Sequence, residues 1–180
     1  LPLTSKTILI GSPNSGKSLL FNRLTGLNQK VANFPGITVN ISSGKSIADP
    51  EQLIMDFPGV YSLRAISAEE TVSVDAFYAG IQDPQISSVV CVVDTTRLEK
   101  GLIFALQVIN ACAEHNKPVV IAANLIDVLN SHGMTMDIDG LAAALKVPVV
   151  AISAKSGIGL DQLQELIANH RQTPEPFSSN

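Results

Sequence analysis

The run Gly11-Ser12-Pro13-Asn14-Ser15-Gly16-Lys17-Ser18 fits G-x-x-x-x-G-K-[ST] and restricts the chain to few architectures. The motif works only between a strand and a helix. An apolar run, Thr7 to Ile10, precedes it, and helical spacing from Ser18 to Leu27 follows it. Gly11 and Gly16 allow backbone dihedrals and close approaches that a side chain would block. Successive backbone N–H groups then face one concavity suited to an anion, and the following helix adds its positive end. Lys17 supplies a point charge for β- and γ-phosphates, and the Ser18 hydroxyl suits Mg²⁺.

The rest of the chain alternates strand and helix signals. Lys6 to Ile10 reads as the first strand, and Asn28 to Gly36 as a polar loop. Ile37 to Ile47 alternates apolar and polar, as an edge strand does, and Asp49-Pro50 turns it back into a short antiparallel partner, Gln52 to Asp56. Ser67-Ala68-Glu69-Glu70 is a capping box opening a helix from Ala68 to Tyr78, where Glu69 and Glu70 suit the positive end of the dipole. Ser88 to Val93, Val119 to Ala122 and Val147 to Ile152 are continuous apolar strands, the signature of a parallel sheet covered on both faces. Helical spacing appears at Leu102, Leu106 and Ile109, at Ile138, Leu141 and Leu145, and at Leu160, Leu163 and Ile167. The expected fold is a three-layer α/β phosphate-loop NTPase of the Ras-like type. Its sheet is six-stranded and mostly parallel, with one antiparallel edge strand. Residues 1–170 form the nucleotide-binding domain, and 171–180, rich in Pro and Ser, a linker or disordered tail.

Four further stretches follow in order. Asp56-Phe57-Pro58-Gly59 fits D-x-x-G at a strand end, where the carboxylate holds Mg²⁺ through water and the Gly59 N–H meets a γ-phosphate. Asn124-Leu125-Ile126-Asp127 fits N-x-x-D, whose carboxylate accepts two hydrogen bonds from guanine N1 and N2. Adenine lacks that donor pair. Ser153-Ala154-Lys155 can offer a backbone N–H to guanine O6, and Thr38 a second Mg²⁺ hydroxyl. Singly, each has a structural rival: a turn at Asp56, caps at Asn124, Asp127 and Ser153, an ordinary strand threonine at Thr38. Together, each at a strand end, they outline a site on the rim of a parallel sheet. The expected nucleotide shell runs from Gly11 through Leu19, adds Gly36, Ile37, Thr38, Asp56 and Gly59, and closes on Asn124, Asp127, Ser153, Ala154 and Lys155.

Composition removes several classes. Twelve basic against sixteen acidic residues leave a net charge of −4 without a basic cluster, which disfavours nucleic acid. No apolar run approaches the roughly 20 residues of a membrane span. Cys91 and Cys112 have no metal or redox spacing, and Cys91 reads as a buried strand thiol. His115, His132 and His170 are scattered. Asp94-Thr95-Thr96 reads as a cap or turn, and Arg64 and Arg97 as solvated. The chain begins at Leu1 rather than Met, as a piece of a longer protein would.

The stretches Pro13 to Asn22, Asn33-Phe34-Pro35-Gly36-Ile37-Thr38-Val39 and Asp56-Phe57-Pro58-Gly59-Val60-Tyr61-Ser62-Leu63 resemble the G domain of the bacterial ferrous iron transport protein B (FeoB) family. The likeness runs from about Lys6 to Asn169, with Ser18 where the family often has Thr. It implies GTP and GDP as ligands, Mg²⁺ at Ser18, Thr38 and Asp56, and an activating K⁺ at Asn14 in place of an arginine finger. It also implies a place on the cytoplasmic face of the bacterial inner membrane, joined to a membrane-embedded transporter part of the same polypeptide. Any oligomer would form through the full-length protein.

Catalysis is then expected from Lys17, Thr38, Gly59 and Asn14. Val60 occupies the position after D-x-x-G where many signalling GTPases carry a water-orienting Gln, so intrinsic hydrolysis should be slow. Two other readings compete with a K⁺-stimulated GTPase switch. One is a nucleotide-sensing binding module with incidental hydrolysis. The other is a soluble cation-dependent GTPase of ribosome or tRNA maturation, which the acidic balance disfavours.

Overall fold

A computed structural model describes residues 5–32, 36 and 38–177. Among these residues seven strands form one sheet: β1 (Ser5–Gly11), β2 (Lys30–Ala32), β3 (Ile41–Lys45), β4 (Gln52–Asp56), β5 (Ile86–Asp94), β6 (Val119–Asn124) and β7 (Val149–Ala151). The described residues also hold six α-helices: α1 (Lys17–Thr25), α2 (Ala68–Ile81), α3 (Leu98–Glu114), α4 (Ile126–Ser131), α5 (Ile138–Leu145) and α6 (Leu160–Asn169). The spatial order is β2-β3-β4-β1-β5-β6-β7. Strand β1 pairs in parallel with both β4 and β5, so the chain winds to one side of β1 and then to the other. That reversal is where such sheets open a crevice beyond their carboxyl ends.

Period-two alternation divides the core. Along β1, Ile8 and Ile10 join one apolar cluster and Leu9 the other; along β5, Val89, Cys91 and Val93 oppose Val90 and Val92. The first cluster is covered by Phe77 of α2, Phe104, Val108 and Cys112 of α3, and Leu145 of α5. The second is covered by Leu20, Phe21 and Leu24 of α1 and Leu163 and Ile167 of α6. Strands buried on both faces must be apolar throughout, which is why their runs show no polar alternation.

The sheet is mostly parallel, as expected, and only β3 runs against the rest. It has one strand more than the six expected. Three residues of the segment expected as loop, Lys30–Ala32, pair antiparallel with β3 and become the outer edge. Neither Lys30 nor Val31 carries a burial signal: both side chains are exposed, so only the backbone ladder makes this a strand. The next strand begins at Ile41 rather than Ile37, and Ile37 itself lies outside the described residues, with Asn33, Phe34 and Pro35. Helix α2 has the capping box: Ser67 Oγ accepts from Glu70 N at 3.2 Å, and Glu70 Oε2 accepts from Ser67 N at 3.3 Å. It runs to Ile81, one turn beyond Tyr78. Residues 171–177 carry no helix or strand, yet Pro174 is buried and the Phe177 N–H donates to Asn110 Oδ1 on α3 at 2.8 Å.

Candidate functional site

Strand β1 ends at the buried Gly11, and the chain loops through Ser12, Pro13, Asn14 and Ser15 before α1 begins at Lys17. Asn14 and Gly16 both take left-handed backbone, with φ of 67° and 85°. At Gly16 a second constraint applies, because a Cβ there would stand 2.2 Å from Asn124 Nδ2. The loop and Gly59 enclose a cleft of about 300 Å³ that also touches Ser18 and Leu19. Pro13, Asn14 and Ser18 are exposed, Leu19 is 44% exposed, and Lys17 is only 8% exposed. The Lys17 ammonium makes an ion pair with Asp56 and donates to the Phe57 carbonyl at 2.6 Å. The side chain is thus buried together with its charge, which rests against the carboxylate at the end of β4.

The loop after β4 is pinned to the phosphate loop. The Val60 N–H donates to the Gly11 carbonyl at 3.1 Å, and a Cβ on Gly59 would come within 3.2 Å of Pro13 N. Gly59 therefore faces the cleft through its backbone. Val60 is 3% exposed and packs in the core, so this position offers the cleft no side chain.

Asn124, at the end of β6, is 1% exposed. Its Nδ2 donates to the Ser15 carbonyl at 3.0 Å, and its Oδ1 accepts from the Ala154 N–H at 3.1 Å. Both ends of the amide are engaged within the protein, so Asn124 ties two loops together. Asp127, in the first turn of α4, differs: its Oδ1 is buried and, among the described residues, has no hydrogen-bond partner. A buried carboxylate oxygen without a donor costs about 1–3 kcal/mol or more, so its position calls for a donor from outside the chain. Ser153 Oγ accepts from Ser156 N at 3.1 Å and shapes the neighbouring turn. The Ala154 N–H is thus already used, and the next residue, Lys155, is exposed. Ser15 Oγ is likewise buried and unpartnered.

Two ties were invisible in the sequence. Arg23, on α1, donates from Nε to the Ala154 carbonyl at 2.9 Å and from Nη2 to the Lys155 carbonyl. Gln107, on α3, accepts at Oε1 from Leu63 N at 2.7 Å and from the Ser62 hydroxyl at 3.1 Å, and so anchors the loop beyond Gly59. Nothing in their local spacing signals either, since each partner is distant in sequence. The structure does not join Thr38 to this assembly. Thr38 and Gly36 are exposed, and among the described residues Thr38 has no hydrogen bond. Asp94 accepts from Thr96 N at 2.8 Å, the capping role expected of it.

Residues 5–167 match the family profile described as ferrous iron transport protein B. The Fe(2+) transporter FeoB of Legionella pneumophila (strain Paris) is 35% identical over 175 residues, covering 94% of this chain and 22% of that protein. The Fe(2+) transporter FeoB of Shigella flexneri is 34% identical over 164 residues, covering 91% and 21%. The chain thus spans about a fifth of the length of these curated relatives. A GDP-bound variant of the S. thermophilus NFeoB superposes with a TM-score of 0.82 at 40% identity, covering 98% of this chain and 67% of that one. The S. thermophilus NFeoB bound to GDP, AlF4⁻ and K⁺ gives a TM-score of 0.77 at 41% identity, covering 94% and 62%.

Proposed function

The chain belongs to the ferrous iron transport protein B family, and from that premise we propose that it is the GTP-hydrolysing switch of a protein that takes up ferrous iron. The observation that carries the reading is the buried, unpartnered Oδ1 of Asp127. Guanine N1–H and N2–H₂ supply the donors that this oxygen lacks. Asn124 holds the carboxylate's loop against the phosphate loop, so base and phosphates are bound by one rigid unit. In this reading the chain lies on the cytoplasmic face of the bacterial inner membrane, and its partner is the membrane-embedded part of the same polypeptide.

The residues fit the expected ions. The Ser18 hydroxyl at the cleft and the Asp56 carboxylate, paired here with Lys17, are hard oxygen donors of the kind Mg²⁺ prefers, while Thr38, the expected second hydroxyl, stands exposed and apart from them. Asn14 presents a side-chain amide at the cleft mouth, where K⁺ suits a carbonyl oxygen. Such cations neutralise charge that develops on the transferring phosphoryl group. The chain's own part is positional. In this reading the Lys17 ammonium, paired with Asp56 in this structure, turns to the β- and γ-phosphates when nucleotide binds. The Gly59 N–H faces the γ-phosphate, and the loop N–H groups cradle the rest. Val60 is buried and cannot orient the attacking water, so hydrolysis is slow without the monovalent cation.

Turnover of GTP is compared in KCl and NaCl for the wild type and Asn14→Ala. The reading expects stimulation by K⁺ in the wild type alone; equal rates in all four samples overturn the cation role. The buried Val60 also favours a second reading, a nucleotide sensor whose hydrolysis is incidental. Single-turnover phosphate release in KCl separates the two, because a sensor releases phosphate no faster with K⁺ present.

A further inference from the structure

Beside the phosphate loop lies a second cavity of about 330 Å³, which shares Ser12, Pro13 and Asn14 with the first and otherwise has its own lining. It is lined by Ser12, Pro13 and Asn14 of that loop, by Arg97 just before α3, and by Lys100 and Ile103 in the first turns of α3. Tyr61, from the loop after Gly59, closes one edge, and the buried Phe104 adds apolar lining. The volume is at the lower end of small-molecule sites. Its chemistry is two-sided. Tyr61 and Ile103 are 65% and 57% exposed, an apolar opening that water covers poorly. Arg97 and Lys100 are exposed cations, and among the described residues neither makes an ion pair. The one acid on the wall, Asp94, has its Oδ1 engaged by the Thr96 N–H at 2.8 Å and the Thr96 hydroxyl at 2.6 Å.

We propose that this cavity is a second ligand site, for a small aromatic acid whose ring lies against Tyr61, Ile103 and Phe104 and whose anionic group meets Arg97 and Lys100. The site is separate from the nucleotide cleft but shares the strand of chain from Ser12 to Asn14 with it. A ligand here is wedged between the phosphate loop and the loop after Gly59. Its binding is therefore linked to nucleotide binding, and the linkage is reciprocal. The binding rests on the cavity alone; its link to nucleotide rests on the function proposed above.

The probe is 8-anilinonaphthalene-1-sulfonate, titrated into the full chain with and without saturating Mg²⁺ and GDP and followed by fluorescence. Its uncharged counterpart, N-phenyl-1-naphthylamine, is titrated alongside. One-to-one binding of the sulfonate is expected with GDP present. Reversing both cations, Arg97→Glu with Lys100→Glu, should weaken it about tenfold and leave the amine unchanged. Ile103→Ser should weaken both probes. Indole-3-acetate should displace the sulfonate at a lower concentration than indole does. Thermal unfolding of each variant verifies that the fold is intact, as expected for substitutions at exposed positions. The proposal is overturned if the charge reversal changes sulfonate affinity less than threefold, if both probes bind alike, or if indole-3-acetate fails to displace. Because Arg97 and Lys100 lie outside the nucleotide cleft, these readouts stand even if GDP does not bind. A failure of the nucleotide reading is then seen separately, as an absence of any GDP effect.

Discussion

Asn124 and Ser15 meet through a hydrogen bond of 3.0 Å from the side-chain amide to the main-chain carbonyl, and the same amide accepts from Ala154 on its other side. Three loops that begin at three different strands are thereby held by one buried side chain. Asn124→Ala removes the donor and the acceptor together and leaves a buried carbonyl and a buried N–H without partners. The expected cost is about 2–4 kcal/mol of stability, with guanine-nucleotide affinity falling more than tenfold. Urea unfolding and GDP calorimetry on the same sample check both.

Gly16 and Gly133 both sit at positive φ, 85° and 73°. Only Gly16 has a neighbour in the way, because a Cβ there would meet Asn124 Nδ2 at 2.2 Å, whereas Gly133 has nothing within 4 Å. Gly133→Ala should then cost only the backbone strain, about 1 kcal/mol. Gly16→Ala should cost more, because it also displaces the Asn124 amide from Ser15. Side-by-side chemical denaturation tests the ordering; equal losses would mean that the clash relaxes without consequence.

What was legible in the sequence follows from range. Motifs whose chemistry is local — the phosphate loop, the capping box at Ser67, the cap at Asp94 — appear in the structure as read. The buried parallel strands were legible because burial on both faces removes polar alternation. Ties between distant segments were not. Arg23 on Ala154 and Gln107 on Leu63 join residues whose nearness only the fold creates. Strand β2 escaped for a different reason: its described side chains, Lys30 and Val31, are exposed, and its pairing is entirely main-chain. The motif around Asn124 was legible, yet the engagement of its amide with the protein on both sides was not.

Gln107 fixes the segment after Gly59 by accepting from Leu63 N and the Ser62 hydroxyl. Leucine at this position keeps the volume but removes the acceptor. Gln107→Leu should cost about 1 kcal/mol and speed amide hydrogen exchange at Leu63 and its neighbours, with α2 unaffected. Exchange spread evenly over the domain would show that the anchor is not local.

Cys91 and Cys112 are both fully buried in one apolar cluster, and desolvation pushes the Cys91 thiol up to about 12 and raises that of Cys112 as well. The thiolate is the reactive form, so neither sulfur should react with Ellman's reagent at pH 8 in the native protein. Both should react in denaturant. Native labelling at the rate of a small thiol would contradict the burial.

Asp127 makes the sharpest prediction, because its acceptor and its selectivity are the same atom pair. The carboxylate offers only acceptors, and its buried Oδ1 has no donor among the described residues. Guanine presents N1–H and an amino group at C2, so both of its donors are matched. Xanthine keeps N1–H but carries a carbonyl at C2, which would face the carboxylate. Asp127→Asn exchanges one acceptor for an amide donor of the same shape. It should lose guanine affinity by about 10²-fold or more and gain xanthine affinity, since a site built for one hydrogen-bond pattern rejects the other by leaving buried groups unpaired. The fold should not suffer, because a neutral amide is easier to bury than an unpartnered charge. Calorimetry with GDP and xanthosine diphosphate on both proteins measures the switch. If Asp127→Asn weakens both nucleotides alike, Asp127 does not read the base.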